Sequence, residues 1–236
     1  MKTCVVTNRK GGVGKTTLSL HLAAAGVAAG RRTLLIDLDP QGSASLASGA
    51  PEGAALAESL WDDEVSVSPT LTPWGFDLLA ASPALSAVDQ LDIADSVQAL
   101  KRVPAGYDLL IIDTPPYAWG LQAAPLLVAD VLVAPVEPDA FAVHGLKSLS
   151  DLVAKARTRN PALQLRVVAN RLKTRATGQQ NIVQSMGAAL GNRFIKPALT
   201  EREGVRRSRD AGRPVWTISK DSYAQNWKQV CDALIS

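Results

Sequence analysis

A glycine-rich segment near the start of the chain contains residue types that bind phosphate. Residues 10–17 read KGGVGKTT and follow a β-branched run, Thr3–Asn8. Glycines let the backbone curl so that several N–H groups point inward, and the start of a following helix adds positive potential. A lysine suits β- and γ-phosphates, and a hydroxyl suits Mg²⁺. We therefore predict a phosphate site made of Gly11, Gly12, Val13, Gly14, Lys15, Thr16 and Thr17.

This segment departs from the strict Walker pattern at one position. The pattern requires glycine five residues before Gly14, where the chain has Arg9 instead. Lys10 adds a second lysine at the mouth of the loop. The segment is thus a variant P-loop, and we use that term below for residues 10–17.

Two acidic segments follow other apolar runs. Asp113 closes LLIID, and Asp37 and Asp39 lie in DLDPQG. An aspartate at the carboxyl end of a strand beside a P-loop can orient Mg²⁺ through water. If the second strand extends far enough, alternation places Asp37 and Asp39 on the same side, one facing the metal and the other the attacking water. We predict Thr16, Asp37 and Asp113 as the metal-site residues, with both aspartates acting through water.

The spacing of apolar residues indicates which elements position these groups. Continuous apolar runs predict strands at Thr3–Asn8, Thr33–Asp37, Leu109–Asp113, Val131–Val136 and Leu165–Asn170. Helical patterns cover Lys15–Ala29 and Asp139–Arg159, and residues 42–75 indicate short helices and loops. The alternation of strands and helices predicts an α/β fold with a doubly wound, mostly parallel sheet flanked by helices. We expect one domain over residues 1–236.

Composition excludes several classes of protein. The chain has 236 residues, of which 47% are hydrophobic and 20% charged, and this is typical of a globular protein. Cys4 and Cys231 lie at opposite ends of the sequence, which argues against a disulfide framework or a cysteine-rich metal site. The longest apolar runs are too short to span a membrane. We expect a cytoplasmic protein.

The charge is unevenly distributed. Residues 151–220 contain fifteen Lys or Arg and four Asp or Glu, a net charge of +11, whereas the rest of the chain carries −8. Such separation suggests a basic face for a polyanion.

Taken together, the motifs resemble those of the ParA/MinD family of deviant Walker A ATPases, and of its ParA branch in particular. KGGVGKTT, DLDPQG and IIDTPP carry the resemblance, and residues 194–214 are similar to the C-terminal region of small ParA proteins. The resemblance covers nearly the whole chain. It implies a P-loop ATPase fold, with ATP and Mg²⁺ as ligands. Because the P-loop begins at residue 10, we expect no N-terminal helix-turn-helix domain.

The resemblance also implies catalytic roles. Lys10 matches the family's signature lysine, which reaches the partner's phosphates in an ATP-bridged homodimer. Lys15 would hold the triphosphate, and Asp39 would position the hydrolytic water. Asp37 would support the metal and nucleotide, and Asn170 would contact adenine.

DNA binding and an adaptor are further implications of the resemblance. Small ParA proteins bind double-stranded DNA non-specifically as ATP dimers, and a ParB-like or other adaptor stimulates their hydrolysis. The implied function is plasmid or chromosome partition on the nucleoid. The candidate DNA-binding residues form a basic set: Lys173, Arg175, Arg202, Arg206, Arg207, Arg209 and Arg213.

Three alternatives stay open at this point. The chain could position a protein cargo on the nucleoid, act as an ATP-dependent metabolic enzyme of the same fold, or serve as a non-enzymatic DNA scaffold. Residues 221–236 contain one Lys and two Asp, which disfavours a basic membrane-binding helix. His21 and His144 are interpreted as ordinary helix residues rather than catalytic bases.

Overall fold

Eight strands form one sheet in the computed structural model, which describes residues 1–116 and 119–236. The order in the sheet is β3-β4-β2-β5-β1-β6-β7-β8. β3 runs antiparallel to β4, and the other adjacent pairs are parallel. The predicted mostly parallel α/β fold is confirmed. The strands are β1 (Lys2–Val6), β2 (Thr33–Asp37), β3 (Thr70–Leu71), β4 (Asp77–Leu79), β5 (Leu109–Asp113), β6 (Val131–Val136), β7 (Gln164–Ala169) and β8 (Phe194–Ile195).

Helices flank this sheet on both faces. They are α1 (Lys15–Ala28), α2 (Ser43–Ala47), α3 (Leu85–Val88), α4 (Ile93–Lys101), α5 (Gly120–Val128), α6 (Ala142–Arg157), α7 (Thr177–Leu190), α8 (Glu203–Asp210), α9 (Val215–Ile218) and α10 (Ser222–Ile235). Residues 42–75 form α2, a 3₁₀ turn at Ala57–Trp61 and the short edge strand β3. The sequence predicts the short helices there but not the edge strand, because two residues give no periodic signal.

The core consists of two hydrophobic layers, one on each side of the sheet. Leu34 and Ile36 of β2 pack into the layer formed with α4, α5, α6 and α7, whereas Leu35 packs into the layer formed with α1 and α10. Successive side chains of a strand point to opposite faces, so a strand covered on both sides needs a continuous apolar run. This is why the strands are visible in the sequence.

The order of the strands brings the predicted site residues to one edge. β5 lies between β1 and β2, and its last residue, Asp113, pairs in register with Val6 and with Asp37. Because these strands are parallel, the P-loop after β1 and the two aspartates meet at their carboxyl ends. Within the described ranges, no helix combines the length and the apolar character that a membrane span requires.

Candidate nucleotide site and adjoining basic residues

The P-loop joins β1 to α1 through a turn that only glycine accommodates well. Gly12 has φ 74° and Gly14 has φ 93°, both in the left-handed region. A Cβ on Gly14 would lie 2.3 Å from the Asn170 Nδ2 atom. In the described part of the chain, no side chain hydrogen-bonds the first turn of α1, and this turn contains no acidic residue. Its N–H groups are therefore available to an anion.

Two side chains after β7 hold the loop. Asn170 Nδ2 donates to the Val13 carbonyl at 2.8 Å, and Arg171 Nη1 donates to the Gly12 carbonyl at 2.9 Å. Arg171 also donates to Glu201 Oε1 at 2.8 Å. The sequence analysis assigns a role to Asn170 but not to Arg171, which has no motif of its own. These bonds fix the P-loop conformation from outside.

Lys15 is the buried cation of the site. Its side chain begins α1 and the residue is 8% exposed. Burial lowers the pKa of Lys15, while the nearby charges of Asp113 and Asp39 act in the opposite direction. Lys15 thus lies near two of the three predicted acidic residues. A desolvated ammonium group held there is suited to bind phosphate oxygens.

Asp113 is the buried carboxyl group of the site. Its carboxylate accepts one hydrogen bond from Thr16 Oγ1 and one from Ser19 Oγ, both at 2.8 Å. Burial and the neighbouring Asp37 raise the pKa of Asp113 to about 7, although the two hydroxyls and Lys15 oppose this shift. Ser19 is absent from the predicted site, although its position three residues after Thr16 places both on one face of α1.

The expectation that Asp37 and Asp39 lie on the same side holds only if β2 extends as far as Asp39. β2 ends at Asp37, so the strand does not extend to Asp39. The Asp37 carboxylate accepts hydrogen bonds from Asp39 N at 3.1 Å, from Ser45 N at 2.8 Å and from Ser45 Oγ at 2.7 Å. Burial raises the pKa of Asp37, and the bonds from Ser45 oppose that shift. Asp37 therefore anchors the turn that carries the half-buried Asp39, and a metal role for Asp37 stays a prediction.

Lys10 lies at the exposed mouth of the P-loop. Its ammonium group is hydrogen-bonded to Asp139 and lies 3.8 Å from Glu137 Oε2. Both acidic residues follow β6. Hydrogen bonds, including the one from Lys10, lower the pKa of Asp139 against a burial effect that raises it. The sequence analysis does not predict this ion pair.

Three members of the basic set line a cavity beside the P-loop. Arg202, Arg206 and Arg209 line a cavity of about 270 Å³ together with Gly12 and Thr17 of the P-loop. Three of the predicted DNA-binding residues therefore lie close to the predicted phosphate site, and their role in DNA binding stays a prediction. Arg202 and Arg206 are exposed to solvent as well, as are the members of the set that do not line this cavity: Lys173, Arg175, Arg207 and Arg213.

Comparison with known proteins supports a single family. A family model described as an AAA domain matches residues 1–165. The protein IncC of Escherichia coli is 30% identical over 246 residues, which cover 98% of this chain and 67% of IncC. The chromosome-partitioning ATPase Soj of Thermus thermophilus is 34% identical over 194 residues, which cover 80% of this chain and 75% of Soj.

A solved structure shares the fold. Cobyrinic acid a,c-diamide synthase from Mycobacterium smegmatis, with a bound ATP analog and magnesium, superposes with a TM-score of 0.79. The two proteins are 24% identical, and the match covers 100% of this chain and 94% of the synthase. At this identity the likeness shows the fold alone.

Proposed function

The chain belongs to the AAA-domain family of ParA-type partition ATPases, and we propose that it hydrolyses ATP as an ATP-bridged dimer that binds DNA non-specifically. The observation that carries the proposal is the P-loop, in which a buried Lys15 is combined with an exposed Lys10. One lysine serves the chain's own phosphate site. The other is accessible to a second subunit. The proposed outcome is partition of plasmid or chromosomal DNA.

The residues present fit a magnesium nucleotide. The uncapped first turn of α1 and the ammonium group of Lys15 would hold the phosphates. Thr16 would bind the metal, and Asp113, already hydrogen-bonded to Thr16, would act through water. When bound, Mg²⁺ supplies positive charge to the β- and γ-phosphate oxygens. The described residues contain no group of three or more His, Cys, Asp or Glu side chains that could hold a metal without phosphate.

A cavity lies beside the phosphate site. Thr17, Asn170 and Arg171 line the 270 Å³ space, which begins at Gly12 and Gly14. Asn170 donates one amide hydrogen to the Val13 carbonyl, and its Oδ1 accepts from Arg171 N. One N–H of its amide group is therefore left for a base. We propose that adenine is bound here.

Hydrolysis depends on positioning and on charge. Asp39 lies after β2, where the anchoring of Asp37 holds its turn, and we propose that it orients the attacking water. Lys10 would add positive charge from the partner subunit, and such charge in trans accelerates related reactions by ~10³–10⁵. In the single chain, Lys10 is paired with Asp139 and Glu137, which offset its positive charge. We therefore propose slow turnover by the monomer and stimulation by an adaptor.

The dimer is tested by light scattering with and without Mg²⁺–ATP. Lys15→Ala should abolish nucleotide-dependent dimers, and Lys10→Ala should weaken them. Asp39→Ala should retain the dimer and lose phosphate release. Lys101→Ala, which changes an exposed lysine at the end of α4, is the matched control. Unchanged dimerisation of the Lys10 and Lys15 variants would refute the bridging role, and normal phosphate release by Asp39→Ala would refute its assigned role.

DNA binding is tested through its dependence on salt. Arg206 and Arg207 are exposed on α8, and the ion pair of Arg206 with Glu203 is long, at 3.8 Å. If each contacts one phosphate, the double alanine variant should lower the slope of log affinity against log salt by about 1.8. Arg159→Ala, which changes an exposed arginine before the amino end of β7, is the control. An unchanged slope in the double variant would exclude these two arginines.

The same measurements separate the alternatives. A metabolic enzyme of this fold would hydrolyse or transfer phosphate without stimulation by DNA. A DNA scaffold would bind DNA without turnover, even when the adaptor is present. An ATPase that positions a protein cargo would behave like the proposed protein in both assays, so identification of its adaptor would distinguish the two.

A further inference from the structure

His21 occupies an unusual position in α1. The residue is 0% exposed, and three tryptophan rings surround it. Its ring centroid lies 5.5 Å from that of Trp74, 5.5 Å from that of Trp216 and 4.7 Å from that of Trp227. The proposed hydrolysis does not use this side chain. A buried polar ring requires hydrogen-bond partners, and the partners of His21 show which parts of the chain it connects.

The hydrogen bonds of His21 connect two separate parts of the chain. Its Nδ1 lies 2.7 Å from the Thr17 carbonyl oxygen, and its Nε2 lies 3.2 Å from Val215 N. A backbone N–H can only donate, so Nε2 accepts and carries no proton. Nδ1 then carries the ring proton and donates it to Thr17. Ser208 Oγ, 3.4 Å from Nε2, donates its own proton to the Val205 carbonyl.

Thr17 and Val215, the two residues bonded to the His21 ring, belong to parts of the chain that have different functions in the proposed ATPase. Thr17 lines the cavity next to the P-loop, where the nucleotide is placed. Val215 begins α9, directly after the basic segment, residues 202–213. Arg206 and Arg209 of that segment line the same cavity. The imidazole ring thus links the nucleotide site, through Thr17, to the first residue of α9, which follows the basic segment and α8 in the chain.

We infer that His21 is a positioning residue that couples nucleotide binding at the P-loop to the placement of α8 and its arginines. The inference rests on the proposed function, in which α8 contacts DNA in the ATP-bound state. Thr17 and Val215 are bonded to the same ring, so neither can move relative to the other without breaking a buried hydrogen bond. Occupancy of the cavity therefore biases the position of the basic segment, and the converse holds by linkage.

The ring keeps one protonation state over the physiological range. Burial lowers the pKa of His21 to about 4, the bond to Thr17 opposes this shift, and the charge of Arg209 adds to it. Arg209 lies on α8, the element that also contributes Ser208. The neutral tautomer needed to accept from Val215 therefore persists at neutral pH. The link is a permanent part of the fold and not a pH switch.

Matched variants separate the link from simple packing. His21→Leu keeps a similar volume but removes both hydrogen bonds, whereas His21→Gln keeps an acceptor that can reach Val215 N. Val215→Pro removes the donor at the other end, at the first position of α9, where proline is tolerated. Pro214 has φ −68° and ψ 149°, a conformation compatible with a following proline. His144→Leu changes the exposed histidine and is the control.

Hydrogen exchange of the amides at 203–213 gives a readout that does not require DNA. Mg²⁺–ATP should slow this exchange at least fivefold in the wild-type protein, the control and His21→Gln, by the usual size of such coupling. In His21→Leu and Val215→Pro the effect should fall below about twofold, while both variants still bind nucleotide. The ratio of DNA affinities with and without ATP should fall in parallel. If His21→Leu does not fold, Val215→Pro tests the same bond.

The possible outcomes distinguish this inference from the proposed function. Either of two results would overturn the role of His21 alone. One is equal slowing in the wild-type protein and in folded His21→Leu or Val215→Pro. The other is no slowing in a wild-type protein that binds ATP. ATP-dependent slowing without any binding to DNA would overturn the proposed DNA function and leave the coupling standing. Failure of the wild-type protein to bind ATP would overturn both.

Discussion

The three glycines of the P-loop offer a graded test of how the loop is built. Alanine at Gly11 meets no atom within 4 Å, and the φ of Gly11 lies outside the left-handed region. Alanine at Gly12 would be strained by φ +74° but would find space, since the nearest atom is Arg171 Nη1 at 3.9 Å. Alanine at Gly14 would combine φ +93° with an approach of 2.3 Å to Asn170 Nδ2. The series thus separates backbone strain from steric clash.

The magnitudes follow from these differences. A left-handed conformation destabilises an L-residue by about 1–2 kcal/mol. Replacement of glycine by alanine stabilises by roughly 0.4–1 kcal/mol through the unfolded chain. Gly11→Ala should therefore be neutral or slightly stabilising, and Gly12→Ala should destabilise by about 1 kcal/mol. Gly14→Ala also displaces the Asn170 amide and so loses its bond to Val13, for a total of about 2–3 kcal/mol.

Thermal or urea unfolding without nucleotide provides the assay, because bound ligand would mask the loop's own stability. For a chain of this length each kcal/mol lowers the melting temperature by roughly 2–4 °C. Gly14→Ala should therefore melt about 4–12 °C below Gly11→Ala. The reasoning is refuted if Gly11→Ala and Gly14→Ala unfold together, or if Gly12→Ala is the least stable of the three.

Three further predictions concern titration and surface charge. Asp113 has a folded pKa of about 7, above its unfolded value, so its stabilising effect is present at acidic pH and is lost as pH rises toward 7. The unfolding free energy of the wild-type protein minus that of Asp113→Asn, measured in urea, should fall between pH 4.5 and 7.5; a constant difference would contradict this. His21 has a folded pKa of about 4, below its unfolded value of 6.5, so the wild-type protein should lose up to about 3 kcal/mol relative to His21→Leu as pH falls from 7 to 4. Parallel pH profiles would show that this ring titrates normally. Lys10→Ala breaks exposed ion pairs and should change the unfolding free energy by less than about 1 kcal/mol, and a larger loss on thermal melting would show that the Asp139 pair is structural.

Elements with strong local signals were predictable from sequence. The run LLIID is buried on both faces and forms β5 at the predicted residues, and the run TLLID likewise forms β2. The P-loop was predictable because its glycines are required by backbone conformation at Gly12 and Gly14. Edge strands β3 and β8 have two residues each and gave no signal, since their pairing is set by neighbours distant in sequence.

Side chains that act through long-range hydrogen bonds were not predictable. Arg171 holds Gly12 from 159 residues away, and Ser45 anchors Asp37 across a turn that begins where β2 ends. Neither residue belongs to a motif, because its partner is fixed only when the chain folds. His21 illustrates the same limit, since its second bond reaches Val215 on a different helix.

The sequence by itself determined the α/β fold, the P-loop and the acidic residues at the strand ends. These features depend on local backbone conformation and on the periodicity of burial, which neighbouring residues dictate. Only the tertiary structure decided where the charges meet. The basic segment is distant in sequence from the P-loop, yet the fold places its Arg202, Arg206 and Arg209 on the cavity beside the P-loop. The net charge of a segment does not say which other residues its side chains will face. Contacts between elements that are distant in sequence decide that.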